Sequence, residues 1–299
     1  CKWGFSQILD IFETYRGMAH RFERFSWRSG QELLKKAKIE EVRPGRKLRV
    51  LRQEPTEKMP TLLLVHGSAA SLTQYLPLAA ALNETLGYGI VCYDWLGCGG
   101  SEKPDDWYAY AFDELLKDLI AIWQDLRWPG PYIVVGHSFG SHLVLRLAAS
   151  SPSMTGLVLL GAAKRFPEGH PIFRLPVFLL RWLQPTLTKA FLEMALVSKD
   201  PELIRQETDA CNANPMSMCK AYYRQVRNAT DAEIAECSKL RVLLIRGDGD
   251  GIVSASDMEA LAQALPKSTS ATVANAGHVP MLEEPGRVAE LIEEFVSVQ

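Results

Sequence analysis

Val134-Val135-Gly136-His137-Ser138-Phe139-Gly140-Ser141 is the stretch whose reading decides the fold. An apolar run, Tyr132-Ile133-Val134-Val135, leads into it, and a helix-patterned segment from Ser141 to Ala149 leads away. Strand, tight turn and helix around Gly-X-Ser-X-Gly is the order of a nucleophile elbow. In such an elbow the serine occupies a strained turn, and glycines on both sides let the strand and helix backbones approach closely. The turn would lift the Ser138 hydroxyl above the sheet edge, where a base can reach it. The same five-residue pattern also occurs by chance in ordinary turns, so its meaning depends on its surroundings.

Upstream, Thr61 to Val65 is a short apolar strand ending in His66-Gly67-Ser68-Ala69-Ala70-Ser71, followed by a helix-patterned segment from Tyr75 to Leu86. Gly89 to Asp94 is another buried-type strand, and Tyr110 to Asp125 is an amphipathic helix. Before them, Ile39–Val42 and Lys47–Leu51 read as two strands joined by Pro44-Gly45. Downstream come strands at Gly156–Gly161, Leu240–Gly247 and near Ala271–Val273, with helices at Ser256–Leu265 and Gly286–Val296. Strands alternating with helices at this spacing predict βαβ units and a mostly parallel sheet. The rhythm breaks between residues 164 and 234. That stretch carries aromatic, proline-interrupted apolar helices at Ile172–Leu183, Leu187–Leu196 and Met218–Val226, and no strand. An all-helical insertion between two sheet strands is the pattern of a lid. The expected fold class is therefore α/β, a mostly parallel central sheet flanked by helices with an inserted helical cap. The expected division is an N-terminal helical extension (1–38), a core (39–163 and 235–299) and a cap (164–234).

The extension has its own pattern. Phe5, Ile8, Phe12, Tyr15, Ala19 and Phe22 recur every three or four residues, with Arg16, Arg21, Arg24 and Arg28 nearby, which predicts an amphipathic helix in residues 5–38 with a break at Gly30. Residues 5–28 could rest on a lipid surface as an interfacial helix. Packing of the stripe on the domain or on a partner chain is the preferred reading, because amphipathic helices mostly bury their stripe in protein.

Composition narrows the function classes. The chain has 299 residues, 47% hydrophobic and 23% charged, which is globular rather than disordered. A net charge of −2 makes no electrostatic case for nucleic acid. The six cysteines are scattered with no Cys-X-X-Cys pair, so neither a disulfide framework nor a zinc site is expected, and a reducing compartment is preferred. No cofactor or metal is expected. No apolar run reaches membrane-span length, and residues 1–30 lack the uninterrupted apolar core of a signal peptide. The expected location is intracellular, either cytoplasmic or peripherally membrane-associated.

A serine hydroxyl is a weak nucleophile until a base takes its proton and an acid orients that base. Of six histidines, His20 and His170 have no context that speaks for chemistry, His66 ends a strand at a glycine turn, and His137 and His142 belong to the elbow. His278 follows a short strand in Ala276-Gly277-His278-Val279-Pro280 and leads into the last helix, so it can reach across the carboxyl edge of the sheet. The orienting acid should come from another strand end, between serine and histidine in sequence. Gly247-Asp248-Gly249-Asp250-Gly251 supplies two carboxylates on one glycine-rich turn. A solvated turn would also favour Asp and Gly, and the pattern lacks the distal glutamate of an EF-hand.

The order Ser138, Asp250, His278 resembles that of the α/β-hydrolase superfamily, from about residue 39 to the C-terminus. Five landmarks carry the resemblance: His66-Gly67 with Ser71, Asp94-X-X-Gly97-X-Gly99-X-Ser101, Gly136-X-Ser138-X-Gly140, Gly247-X-X-Asp250-X-X-Val253, and Gly277-His278 followed by Glu283-X-Pro285. The Asn212-Ala-Asn-Pro-Met-Ser run resembles, more loosely, abhydrolase-domain proteins. The resemblance implies Asp250 rather than Asp248 as the acid. It also implies an oxyanion hole made by the backbone N–H groups of Phe139 and Ser68, with Ala69 as the other candidate for the second donor. The expected activity is serine hydrolysis of an acyl ester, esterase- or lipase-like, on a small-molecule or lipid substrate. Acyl transfer, thioester or amide hydrolysis, C–C bond hydrolysis and a non-catalytic binding role are the alternatives. Lid residues Phe173, Phe178 and Trp182, with their neighbours Leu175 to Leu183, are candidate walls of an apolar acyl pocket, with their own packing as the competing reading.

Overall fold

Short apolar runs bounded by glycine, proline and polar turns become the strands of one sheet in the computed structural model, which describes residues 21–56, 58–128, 130–151 and 153–297. The strands are β1 (Lys38–Arg43), β2 (Arg46–Gln53), β3 (Thr61–Val65), β4 (Gly89–Tyr93), β5 (Tyr132–His137), β6 (Gly156–Leu160), β7 (Val242–Gly247) and β8 (Ser268–Val273). Their order is β1-β2-β4-β3-β5-β6-β7-β8. β2 pairs antiparallel with both β1 and β4, and every pairing from β4 through β8 is parallel. Parallel strands need crossovers that cover both faces, so β3, β4 and β6 are buried at every position and read as continuous apolar runs.

Alternation of side chains divides the sheet into two cores. Leu63, Val65, Val134, Leu157 and Leu159 face the helices Phe112–Gln124 and Phe139–Ser150. Leu62, Leu64, Ile133, Val135 and Val158 face Leu76–Leu86 and Pro285–Ser297. The second core also takes in Phe22, Phe25 and Trp27, all buried. This corrects part of the expected N-terminal helix: residues 21–30 are turns, and the first described helix is only Gln31–Leu34. Serine-based turns compete with the helix here, with Ser29 Oγ accepting from the Ser26 amide at 3.0 Å, and Gly30 breaks it at φ 77°. The greater part of the amphipathic stripe, residues 5–20, lies outside the described residues.

Between β6 and β7 the described residues form helices and no strands. Val177–Ala195 is a single helix through Pro185, where a break was expected. Pro185 and Arg181 are both exposed, so the carbonyl that loses its partner sits where water can hydrate it. Two helices absent from the sequence reading follow. Pro201–Asn212 is capped by Asp200, whose Oδ1 accepts from the Glu202 amide at 2.9 Å, and Asp231–Cys237 starts with a Thr230/Glu233 capping box. Asp231–Cys237 folds back on the elbow helix, where Arg146 Nε meets Glu233 Oε1 at 3.0 Å. No helix among the described residues is long and apolar enough to cross a membrane.

Candidate active site

Register brings the ends of three central strands together. Val65 lies opposite Gly136 across β3 and β5, and Gly136 lies opposite Leu159 across β5 and β6. Ser138 follows β5 at φ 51°, ψ −128°, and opens the helix Phe139–Ser150. A non-glycine residue there is strained. Two observations explain why the strain persists. The Ser138 amide donates to the Leu160 carbonyl at 2.9 Å, and a side chain at Gly140 would overlap the carbonyls of Val65 and His66. The backbone is therefore packed from both sides with no room for an alternative turn.

His278 arrives on the loop after β8. Its amide donates to the Ala195 carbonyl at 2.7 Å. His278 Nδ1 is 3.0 Å from Asp250 Oδ2, with both side chains buried. Asp250 Oδ1 accepts the amides of Ile252 (2.8 Å) and Val253 (2.9 Å). Burial pushes the Asp250 carboxyl up, but the His278 hydrogen bond and charge and these two amides outweigh it, and the net shift is downward. Asp248 shares the turn and points outward, exposed. Glu283 braces the loop by accepting from the amides of Gly277 (2.6 Å), Val197 (2.9 Å) and Ser198 (2.7 Å).

Three further histidines, His66, His137 and His142, are buried, and burial disfavours their charged form. His66 donates from Nδ1 to the Gly67 carbonyl at 2.7 Å and accepts the Trp95 amide on Nε2 at 3.0 Å, and burial lowers its pKa to about 4. His142 Nδ1 accepts the Ala229 amide at 2.9 Å, and burial lowers its pKa to about 4. His137 has a positioning part that nothing in the sequence signalled. Its Nε2 donates to the His278 carbonyl at 2.9 Å, its ring lies 4.8 Å from the His278 ring, and burial lowers its pKa to about 3. In the sequence His137 reads as part of the elbow alone. His170 lines the cavity described next, and His20 lies outside the described residues.

Ser138, Phe139, His278, Gly67, Ser68 and Ala69 share the wall of one cavity of about 360 Å³. The Phe139 amide is the first of its helix, an end with free N–H groups. The loop carrying Ser68 is gripped from the helical insertion. Tyr223 Oη donates to Ser68 Oγ at 3.1 Å, and Asn214 Nδ2 donates to the Ala69 carbonyl at 2.7 Å. Asn214 belongs to the Asn212-Ala-Asn-Pro run that the sequence had singled out.

The far wall corrects the expected acyl pocket. Phe173 lines the cavity, stacked on Tyr223 at 4.3 Å. Phe178 and Trp182 do not; they are 68% and 77% exposed. The helical period is the reason. Leu187, Thr188, Phe191 and Met194 form the inner stripe of Val177–Ala195, and at 100° per residue positions 178 and 182 fall on the opposite side. Phe166 and Met216 complete the apolar lining. Among the described residues no group of three or more His, Cys, Asp or Glu is arranged to hold a metal.

Comparison with known proteins agrees with this architecture. The chain is 27% identical over 246 residues to human Protein ABHD8, covering 79% of this chain and 54% of that protein. It thus spans about half the length of the curated relatives of that kind. It is 24% identical over 261 residues to the pimeloyl-[acyl-carrier protein] methyl ester esterase of Xanthomonas axonopodis pv. citri, covering 80% of this chain and 95% of that one. Among solved structures, a membrane phospholipase A described as a bacterial virulence factor superposes with a TM-score of 0.71 at 23% identity, over 98% of this chain and 91% of its own. Residues 62–291 match the model of the Alpha/beta hydrolase family, and with the eight-stranded sheet and its flanking helices in view, the chain belongs to that family.

Proposed function

We propose that this chain is a serine hydrolase that cleaves an acyl ester, in the manner of a carboxylesterase or lipase. The observation that carries the reading is the buried 3.0 Å contact of His278 Nδ1 with Asp250 Oδ2, beside a serine at φ 51° on the wall of the same cavity. Ser138 Oγ attacks the acyl carbonyl as His278 takes its proton, and Asp250 orients and stabilises the resulting imidazolium. The negative charge on the carbonyl oxygen is received by the amides of Phe139 and Ser68, each worth about 10²–10³ in rate where such donors have been removed. The C–O bond to the leaving group breaks as His278 returns the proton to it. Water then adds to the acyl-enzyme through the same base, and the acid departs with Ser138 restored.

The apolar lining supports an apolar acyl group, and the relative named as a methyl ester esterase supports ester chemistry. In this reading residues 164–234 form a cap over a core of 39–163 and 235–299, with 1–38 as an extension. Labelling with a fluorophosphonate probe tests the reading. Wild type is expected to react and Ser138→Ala to stay unlabelled; an unreactive wild type, or equal labelling of the two, removes Ser138 as the nucleophile. Initial rates on p-nitrophenyl esters of increasing chain length then define the acyl preference.

A further inference from the structure

The helix Val177–Ala195 turns one stripe into the cavity and carries Phe178 and Trp182, one turn apart, on its outer side. Large apolar side chains this open on one face mark a contact surface. The charge around them is one-sided. Residues 169–192 contain no Asp or Glu but carry Arg174, Arg181 and Lys189, and residues 210–230 contain none either but carry Lys220, Arg224 and Arg227. Over the whole chain the net charge is −2. The two cationic stretches meet. Lys220 Nζ donates to the Leu175 carbonyl at 2.7 Å, and Tyr223 stacks on Phe173. Arginines elsewhere are mostly matched, as Arg28 is with Asp200 and Arg146 with Glu233. Among the described residues Arg174, Arg181 and Arg224 have no hydrogen-bond or ion-pair partner.

We propose that this face, Phe178 and Trp182 amid unpaired arginines, docks on an anionic lipid surface. Tryptophan and phenylalanine settle at the boundary of headgroup and acyl chain. A guanidinium matches a lipid phosphate in two-pronged hydrogen bonds, and each cation near such a surface adds about fivefold in affinity. With no Asp or Glu in either stretch, these arginines are free to meet many phosphates at once. A headgroup layer accepts them along their own length.

The experiment is flotation of the full chain with phosphatidylcholine vesicles, with and without phosphatidylserine, at low and high salt. Wild type is expected to bind the phosphatidylserine vesicles and to lose binding as salt rises. Phe178→Ser/Trp182→Ser and Arg174→Gln/Arg181→Gln should each bind at least about tenfold more weakly. Hydrolysis of a water-soluble short ester should be unchanged in both, which shows that the fold and cavity persist. Equal binding of wild type and both variants, or no binding by wild type, would overturn the proposal. So would a wild-type dimer in sedimentation velocity that dissociates on the aromatic substitution, which would make the face an interface between copies. Vesicle binding requires no turnover, so its failure is separate from failure of the esterase reading.

Discussion

Asp250→Asn probes the site with a change of one atom, because the surrounding amides dictate which way the new side chain must face. Asp250 Oδ1 receives two backbone N–H groups, from Ile252 and Val253, while Oδ2 meets His278 Nδ1. In the variant only the carbonyl oxygen can take the two amides, since an NH₂ there would set donors against donors. The NH₂ therefore faces His278 Nδ1, which must become the acceptor. The ring proton moves to Nε2, the nitrogen that the proposed mechanism uses as base, and the base is blocked before substrate arrives. A wrong tautomer of this kind costs ~10⁴ in kcat, which is about 5.4 kcal/mol at 1.36 kcal/mol per decade. The carboxylate–imidazolium attraction lost over 3.0 Å is of the same size, about 5.5 kcal/mol at an effective dielectric of ~20. The substitution is isosteric and keeps both amide bonds, so thermal stability should change little. Exposed Asp248 is the control, and Asp248→Asn should stay within about threefold of wild type, as surface changes do. The assay is kcat/KM on p-nitrophenyl butyrate, with a melting curve for each variant. Activity of Asp250→Asn within about tenfold of wild type, only ~1.4 kcal/mol, would refute the reasoning, as would a larger loss in Asp248→Asn.

Gly161→Ala should disturb the same histidine from the other side. Gly161 has φ 52°, and a Cβ there would lie 2.9 Å from His278 Nδ1 and 3.0 Å from the His278 carbonyl oxygen. The expected result is a loss of ~10² in kcat/KM through displacement of the ring, with a melting curve reporting the added strain; wild-type kinetics would show that the ring does not need this position. Glu207 tests burial of a carboxyl. It is buried, accepts from Gln74 Nε2 at 2.7 Å, and has its pKa raised above 4.5, burial outweighing that hydrogen bond. As pH rises through the unfolded value toward the folded one, the unfolded chain ionises first and stability falls. Glu207→Gln should therefore gain stability relative to wild type at pH 8 compared with pH 4, read by chemical denaturation; a gap that is constant with pH would show that Glu207 does not titrate in this way.

Much of the fold was legible because local signals agreed with one another. Five-residue apolar runs flanked by glycine or polar turns became β3, β4 and β6, and the elbow glycines marked places where backbones approach too closely for a Cβ. The pairing of Asp250 rather than Asp248 with His278 came from family pattern, and spacing alone left both open. The helix Pro201–Asn212 escaped notice because its sequence is largely polar and its buried contacts are few, among them Leu203 and Glu207. Pro185 was read as a break because a proline's cost is local, whereas the packing of the inner stripe extends along the whole helix.

By itself, then, the amino-acid order determined the alternation of strand and helix, the elbow around Ser138 and the chain order of its candidate partners. These follow from short-range sterics and from the period of apolar residues. Tertiary structure alone decided which faces turn where. Phe178 and Trp182 look from sequence like pocket walls, yet they lie outside, because a helix with apolar residues on several sides takes its orientation from what it packs against. His137 holds the His278 loop, and Tyr223 and Asn214 grip the loop of Ser68, across separations of 141 residues or more that no local pattern spans.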